Sequence, residues 1–157
     1  MFNKKEWIKN VKSNLVTGGS KGIGANIVEG LARKGYTVIL NYNNSEKEAK
    51  SIQNRLNEEN INIDICQADV SIHTEVTKLI NYCINKYHKI DVLINNAGIS
   101  QTKLFTDITD VDWYNMLQTN LTSAFYTIKD TLPCMIHNKN GCIINISSVW
   151  GLVGSSC

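Results

Sequence analysis

The sequence has little of what marks a membrane, secreted or nucleic-acid-binding protein. It contains one proline and two arginines among 157 residues, and its net charge is +2. No apolar run approaches the roughly 20 residues that a membrane-spanning helix requires, and no secretory signal follows the lysines near the N-terminus. The near-neutral charge, without a basic stripe, disfavours binding to nucleic acid. We therefore expect a cytoplasmic protein that uses neither a membrane nor a nucleic acid.

The cysteines and histidines indicate neither a disulfide framework nor a metal site. The five cysteines are odd in number and irregularly spaced, without a Cys-x-x-Cys pair, so we expect reduced thiols. The three histidines are scattered, and no cluster has the ligand spacing of a zinc site. The sequence thus predicts no bound metal. The cysteines are Cys66, Cys83, Cys134, Cys142 and Cys157.

Short apolar runs alternate with amphipathic helical patterns along the chain. Strand patterns lie at about residues 13–17, 36–40, 61–66, 90–94 and 141–146. Helical patterns lie at about residues 23–34, 45–60, 72–87 and 111–137. This alternation predicts an α/β fold, a doubly wound parallel sheet with right-handed crossovers. We expect residues 13–157 to form one domain after a polar extension, residues 1–12. At the start of the second helical pattern, we expect Ser45 and Glu48 to form a capping box.

A glycine-rich turn joins the first strand to the first helix. Its glycines follow the pattern G-x-x-x-G-x-G at Gly18, Gly22 and Gly24. In a dinucleotide site the first glycine permits a sharp turn, the second lets the backbone approach a pyrophosphate, and the third lets the helix pack closely on the strand. The helix N-terminus would then face the phosphates. An ordinary βα turn is the alternative interpretation.

Further motifs follow the glycine-rich turn in a fixed order. Asp69 follows the third strand, Asn95-Asn96-Ala97-Gly98 ends the fourth, Asn120 lies in the last helical pattern and Ile146-Ser147-Ser148 follows the fifth strand. Together with Thr17–Gly24, this succession resembles the short-chain dehydrogenase/reductase family, and most strongly its 3-oxoacyl-(acyl-carrier-protein) reductases. The resemblance extends from about residue 13 to the end. It implies the first five strands of a Rossmann-like sheet in the order 3-2-1-4-5, with the last strands absent.

The resemblance implies a nicotinamide cofactor and the residues that bind it. Asp69 would accept a hydrogen bond from the adenine amino group, although Asp69 could also be the N-cap of the third helix. Asn95 would tie strands together, although Asn95–Gly98 could also be a plain turn. The implied cofactor-binding residues are Thr17, Gly18, Ser20, Lys21, Gly22, Ile23, Gly24, Asn41, Asp69, Val70, Asn96, Ala97 and Gly98.

Two catalytic positions are implied in the same way. Ser148 would hydrogen-bond the substrate carbonyl, whereas its neighbour Ser147 would not, and Asn120 would hold a water in a proton relay. The alternatives are a polar loop for the serines and a solvent-facing helix position for Asn120. The general acid of the family is a tyrosine about a dozen residues after the serine, with a lysine one turn later. The sequence stops at Cys157, before both. We therefore expect a truncated chain that is inactive by itself.

The residues after the second strand bear on the choice of cofactor. An NAD-specific site usually has an acidic residue there for the ribose 2′-hydroxyl. This sequence has Asn41-Tyr42-Asn43-Asn44 instead, with no acid until Glu46, while Lys21 could pair with a 2′-phosphate. Lys21 could also be a solvated surface lysine. The sequence favours NADP(H) over NAD(H).

Two functional hypotheses remain open. The first is an NADP(H)-dependent reductase of a carbonyl, most directly a 3-oxoacyl thioester on an acyl carrier in fatty-acid synthesis. The second is a non-catalytic nucleotide-binding or interaction remnant of such an enzyme. For the full-length parent the resemblance implies a homo-oligomer.

Overall fold

Five parallel strands form one sheet in the computed structural model, which describes residues 12–151 and 153. Their order is β3-β2-β1-β4-β5, and this confirms the predicted fold class and strand order. Of the predicted N-terminal extension, residues 1–11 lie outside the described residues. The strands are β1 (Ser13–Val16), β2 (Thr37–Tyr42), β3 (Asp64–Gln67), β4 (Val92–Asn95) and β5 (Cys142–Asn145).

Helices connect the strands on both faces of the sheet. The α-helices are α1 (Gly22–Arg33), α2 (Glu46–Glu58), α3 (His73–Tyr87), α4 (Asp110–Leu117) and α5 (Ser123–His137). A π-helical turn, Gln118–Thr122, joins α4 to α5, and short 3₁₀ turns lie at Phe105–Asp107 and Val149–Gly151. Among the residues that the structure describes, no helix is both long and apolar enough to cross a bilayer.

The apolar core is divided by the sheet into two layers, because successive strand side chains point to opposite faces. On one face Leu15 packs with residues of α3 and α5, including Val76 and Met135. On the other face the next residue, Val16, packs with residues of α1 and α2, including Val28. Strands buried on both faces read as continuous apolar runs, which is why the central strands were identifiable in the sequence.

Several strand boundaries differ from the sequence-based prediction, and those of β2 and β3 have a clear physical cause. β2 continues through Asn41 and Tyr42, predicted as loop, because these residues pair with Cys66 and Gln67 of β3. β3 begins at Asp64 rather than at residue 61. Its predicted start instead belongs to the turn that follows α2, where Asn60 has a positive φ and the N–H of Ile61 donates to the carbonyl of Leu56.

The prediction of a capping box at Ser45 and Glu48 is wrong. Ser45 is the N-cap of α2, but its side chain accepts no capping hydrogen bond. Glu48 instead lies 2.9 Å from the Lys21 ammonium group. A capping box does occur at the start of α4, where Thr109 and Asp112 exchange hydrogen bonds.

Candidate functional site

The carboxyl ends of the parallel strands border a cleft of about 270 Å³. β1 and β4 are neighbours in the sheet, while their following segments lead to opposite faces. This is the topological switch point at which open α/β sheets bind ligands. Residues that line the cleft are Gly18, Ser20, Asn41, Tyr42, Asn43, Asn44, Ser45, Ala68, Asp69, Val70, Ala97, Gly98, Ile99 and Thr119.

The glycine-rich loop has the backbone shape that its glycines suggested. Gly18 has φ +61°, and a Cβ there would lie 2.9 Å from the Cα of Ala97. Gly22 has φ +53°, and a Cβ there would meet no atom within 4 Å, so open space lies above the start of α1. A Cβ on Gly24 would lie 2.4 Å from the carbonyl oxygen of Gly18. The third glycine therefore lets the helix approach the loop itself rather than the strand.

The first turn of α1 is open to an anion. Its N-cap residue, Lys21, makes no side-chain capping hydrogen bond. Helix N-terminal N–H groups that no side chain caps carry a partial positive charge and bind phosphates. Ile23, in the same turn, is 63% exposed, which leaves its backbone approachable. The lining of the cleft does not include the residues at this helix start, which lie beside it: Lys21, Gly22, Ile23 and Gly24.

Thr17 and Asn96 fasten the β1 loop to the β4 loop. The hydroxyl oxygen of buried Thr17 accepts hydrogen bonds from the backbone N–H groups of Asn96 and Ala97, each at 3.0 Å. The amide of Asn96 donates to the carbonyls of Thr17 and Gly18 at 3.1 and 3.0 Å. Both side chains therefore form hydrogen bonds within the protein. These bonds hold the two loops that border the cleft together, and they do not show that either side chain binds a ligand.

Asn41 has a similar fastening role. It is 2% exposed, and its amide donates to the carbonyl of Ala68 at 3.0 Å. Its side-chain oxygen accepts a hydrogen bond from the N–H of Gly18 at 3.4 Å.

Asn95, which was expected to tie strands together, donates to Asn145 of β5 and accepts from Thr127 of α5.

Asp69 lies in the cleft but is not a helix N-cap. The N-cap of α3 is Ile72, whereas one Asp69 oxygen accepts hydrogen bonds from the backbone and hydroxyl of Ser71. The other oxygen accepts from the amide of Asn43 at 2.8 Å. A carboxylate has about four lone-pair positions, so it retains capacity for a further donor. Asn43 was not among the predicted site residues, and its only signal was its position after the second strand.

Asn120 lies at the π turn between α4 and α5. The turn is defined by the N–H of Ser123, which donates to the carbonyl of Gln118, five residues earlier. The side chain of Asn120 accepts from the N–H of Ile99 at 2.8 Å and donates to the carbonyl of Ile99 at 2.9 Å. It thereby holds the loop after β4 against the helix. π turns occur frequently at functional sites, but the predicted water remains a prediction.

Ser148 follows β5 and is exposed. Its hydroxyl accepts a hydrogen bond from the N–H of Trp150 at 3.3 Å. Among the described residues, no hydrogen bond joins Ser148 to Asn120. The two predicted catalytic side chains are therefore not hydrogen-bonded to each other.

A Tyr-x-x-x-Lys spacing does occur upstream, at Tyr82 and Lys86 of α3, but its chemistry is wrong for a general acid. Both side chains donate to the carboxylate of Asp64, each at 2.8 Å. Burial and the hydrogen bond to Asp64 raise the pKa of Tyr82. A tyrosine that exchanges a proton near neutral pH needs the opposite shift. This pair ties α3 to the edge strand β3.

Within residues 12–151 and 153, no group of three or more His, Cys, Asp and Glu side chains could hold a metal ion.

Comparison with known proteins gives consistent matches. The family model described as short chain dehydrogenase matches residues 12–157. A 3-oxoacyl-(acyl-carrier-protein) reductase of Staphylococcus aureus is 36% identical over 148 residues, which cover 94% of this chain and 60% of the relative. An uncharacterized oxidoreductase of Bacillus subtilis is 36% identical over 147 residues, covering 93% and 60%. A 3-oxoacyl-(acyl-carrier-protein) reductase of Buchnera aphidicola is 34% identical, covering 92% and 58%.

The chain thus spans about 60% of the length of the curated relatives it matches. The family match, by contrast, covers the whole sheet and every loop of the cleft described above. On these observations the chain belongs to the short-chain dehydrogenase family.

Proposed function

We propose that the protein containing this chain is an NADP(H)-dependent oxidoreductase that reduces the carbonyl of a 3-oxoacyl thioester. The cleft between the glycine-rich loop and the Asn95–Gly98 loop is the observation that carries this proposal. The similarity to reductases of that substrate in two bacteria supports the substrate class. An acyl-carrier protein is then the partner that delivers the substrate, in fatty-acid synthesis.

The residues around the cleft fit a dinucleotide. Gly22 leaves room for a pyrophosphate beside the uncapped start of α1, where a helix N-terminus favours phosphate groups. Ala97 and Gly98 also line the cleft; neither has a side chain larger than a methyl group, and Gly98 is exposed. Asp69 offers carboxylate oxygens at the far end, beside Val70. An adenine amino group would find its acceptor there.

The preference for the phosphorylated cofactor rests on charge. The residues that follow β2 and line the cleft are neutral, namely Asn43, Asn44 and Ser45. No carboxylate there would accept a hydrogen bond from a ribose 2′-hydroxyl, as in NAD-specific sites. Lys21, in the glycine-rich loop, is the cation available to a 2′-phosphate. Lys21→Gln should therefore weaken binding of NADPH more than binding of NADH.

The remaining roles concern the substrate. When bound, the cofactor supplies a hydride, and the protein orients it and handles the proton. The exposed Ser148 hydroxyl would donate a hydrogen bond to the substrate carbonyl. Asn120 would help to hold a water on the path of the proton, beside the Ile99 segment that it already binds.

The test is a matched pair of serine variants in the protein at its full encoded length. Ser148→Ala should lower kcat by about 10²-fold or more, as loss of a donor to a developing oxyanion does, with the Kd for NADPH unchanged. Ser147→Ala, one residue earlier, should retain most of the activity. Equal turnover in both variants would contradict the role of Ser148. Absence of binding to either nicotinamide cofactor would contradict the proposed function as a whole.

The non-catalytic alternative has a separate test. These 157 residues, expressed alone, should bind cofactor without useful turnover, because no Tyr-x-x-x-Lys pair follows Ser148 in this sequence. A general acid contributes about 10²–10⁴-fold to such a reaction. A full-length protein that also lacks this pair would favour the remnant. A purified 157-residue chain that oxidises NADPH with a 3-oxoacyl substrate would show that the acid comes from elsewhere.

A further inference from the structure

The lysine that is available to a 2′-phosphate already has a partner. The ammonium group of Lys21 lies 2.9 Å from a carboxylate oxygen of Glu48. The pair bridges the glycine-rich loop and the first turn of α2, two segments that border the cleft. The Lys21 side chain is 62% exposed and that of Glu48 is 45% exposed, so a ligand can reach both.

Glu48 is held in its charged form. The hydrogen bond from Lys21 and the helix backbone N–H of Glu48 lower the pKa of its carboxyl group. A negative charge in the first turn of a helix is also favourable, because the helix dipole is positive there. Glu48 is therefore an anion at neutral pH beside the cation that a phosphate would need.

The other acidic residue of the same turn is engaged elsewhere. Glu46 lies 2.6 Å from Lys50, one turn further along α2. Ser45, the N-cap, makes no capping hydrogen bond, and Asn43 and Asn44 are neutral. Asp69, at the other side of the cleft, is bound by Asn43 and Ser71. Among the described residues, Glu48 is thus the carboxylate that forms an ion pair with the glycine-rich loop.

We propose that Glu48 reduces the selectivity of this protein for NADPH over NADH by competing with the ribose 2′-phosphate for Lys21. This inference rests on the proposed use of a nicotinamide cofactor. A phosphate monoester carries a charge of about −1.5 to −2 at neutral pH, so it is repelled by Glu48 and must displace the carboxylate or share its lysine. NADH lacks that phosphate. Glu48 therefore narrows the preference for NADPH over NADH.

The experiment measures cofactor affinity by calorimetry in the protein at its full encoded length. Glu48→Gln should tighten NADPH binding by about two- to five-fold, the size expected of one exposed charge pair, and leave NADH affinity unchanged. Glu46→Gln is the matched control, since it removes the same charge from the same helical turn without touching Lys21. It should change neither affinity.

One further variant separates competition for Lys21 from a general charge effect, and a salt series tests whether the gain is electrostatic at all. The gain from Glu48→Gln should shrink in a Lys21→Gln background, where no cation remains to compete for. It should also shrink as salt shortens the Debye length from about 10 Å at 0.1 M to about 3 Å at 1 M. A persisting gain in the Lys21→Gln background would overturn competition for the lysine.

The outcomes distinguish this inference from the proposed function. A wild-type protein that binds NADPH, with an unchanged or weakened affinity in Glu48→Gln, overturns the inference alone. An equal gain in Glu46→Gln does the same. A wild-type protein that binds neither cofactor overturns the proposed function, and the inference with it.

Discussion

At the scale of single residues, Gly24 has a steric role in the glycine-rich loop. An added Cβ would lie 2.4 Å from the carbonyl oxygen of Gly18 and 2.5 Å from the amide nitrogen of Asn96. Both atoms belong to the fastening between the β1 and β4 loops, so neither can move freely. Gly30 lies in the same helix, and a Cβ there would meet nothing within 4 Å.

The two glycines therefore predict opposite results. Gly24→Ala should destabilise the protein by about 1–3 kcal/mol, the usual cost of forcing an atom into a packed site, and should weaken cofactor binding. Gly30→Ala should be neutral or stabilising by up to about 1 kcal/mol, because alanine is the better helix former. Chemical denaturation of both variants measures the difference. Equal stability of the two variants would contradict the steric role of Gly24.

The hydroxyl of Thr17 supports a second prediction at this scale. It accepts from two backbone N–H groups of the β4 loop, so Thr17→Val should cost about 1–3 kcal/mol, because two partly buried donors would be left unpaired. Thr131 is the control, since its buried hydroxyl has no hydrogen-bond partner among the described residues. Thr131→Val should leave the free energy of unfolding unchanged or raise it. Urea denaturation measures the free energy of unfolding of both variants. A larger decrease in Thr131→Val than in Thr17→Val would contradict the role assigned to the Thr17 hydroxyl.

At the scale of elements, Asp64 couples the edge strand β3 to α3. Partial burial alone would raise the pKa of its carboxyl, but hydrogen bonds from Lys86, Tyr87 and Tyr82 outweigh this and hold the pKa below its usual value. A carboxyl with a lowered pKa in the folded state stabilises that state above its unfolded pKa, near 4. This stabilisation is lost as the pH falls through the folded-state pKa.

Asp64→Asn tests that coupling through its pH dependence. The variant should be about 1–3 kcal/mol less stable than the wild type at pH 7, since hydrogen bonds to a charged group are lost. The difference should shrink below about pH 4. Asp107→Asn, in an exposed 3₁₀ turn, is the control and should change the stability little at pH 7. Thermal melts from pH 7 to pH 2 measure both, and a pH-independent difference for Asp64→Asn would be evidence against the ionic coupling.

At the scale of the whole molecule, β5 is the least protected part of the sheet. It pairs with β4 on one side, and no other described strand pairs with it. Ile144 is 42% exposed and Ile146 is 38% exposed, with the exposed Trp150 following. An apolar strand with an unpaired edge associates with other chains.

The isolated 157-residue chain should therefore self-associate. Light scattering should give a mass above that of the monomer, rising with concentration, and Ile144→Lys combined with Ile146→Lys should lower it, because charges on an edge strand oppose pairing. Lysines at Ile23 and Val111, which are exposed on helices, provide the matched control and should have little effect. A monomer at all concentrations would show that the edge is protected in another way.

The sequence by itself determined the alternation of strands and helices and the parallel sheet. These depend on local causes: apolar runs define buried strands, Gly18 supplies a positive φ at the end of β1, and the motif order identified the family. Asp69, Val70, Ala97 and Gly98, which were predicted to bind the cofactor, line the cleft. The sequence-based prediction was less accurate at strand ends, where pairing with a neighbouring strand decides the boundary.

Only the tertiary structure decided what the polar side chains of the site contact. Thr17 and Asn96 are 79 residues apart and meet through the pairing of β1 with β4. Ser45 and Glu48 have a capping-box spacing, yet Glu48 binds Lys21 because folding brings α2 beside the glycine-rich loop. A charged side chain chooses among all the partners within its reach, and that set is defined by strand order and helix packing rather than by neighbours in the sequence.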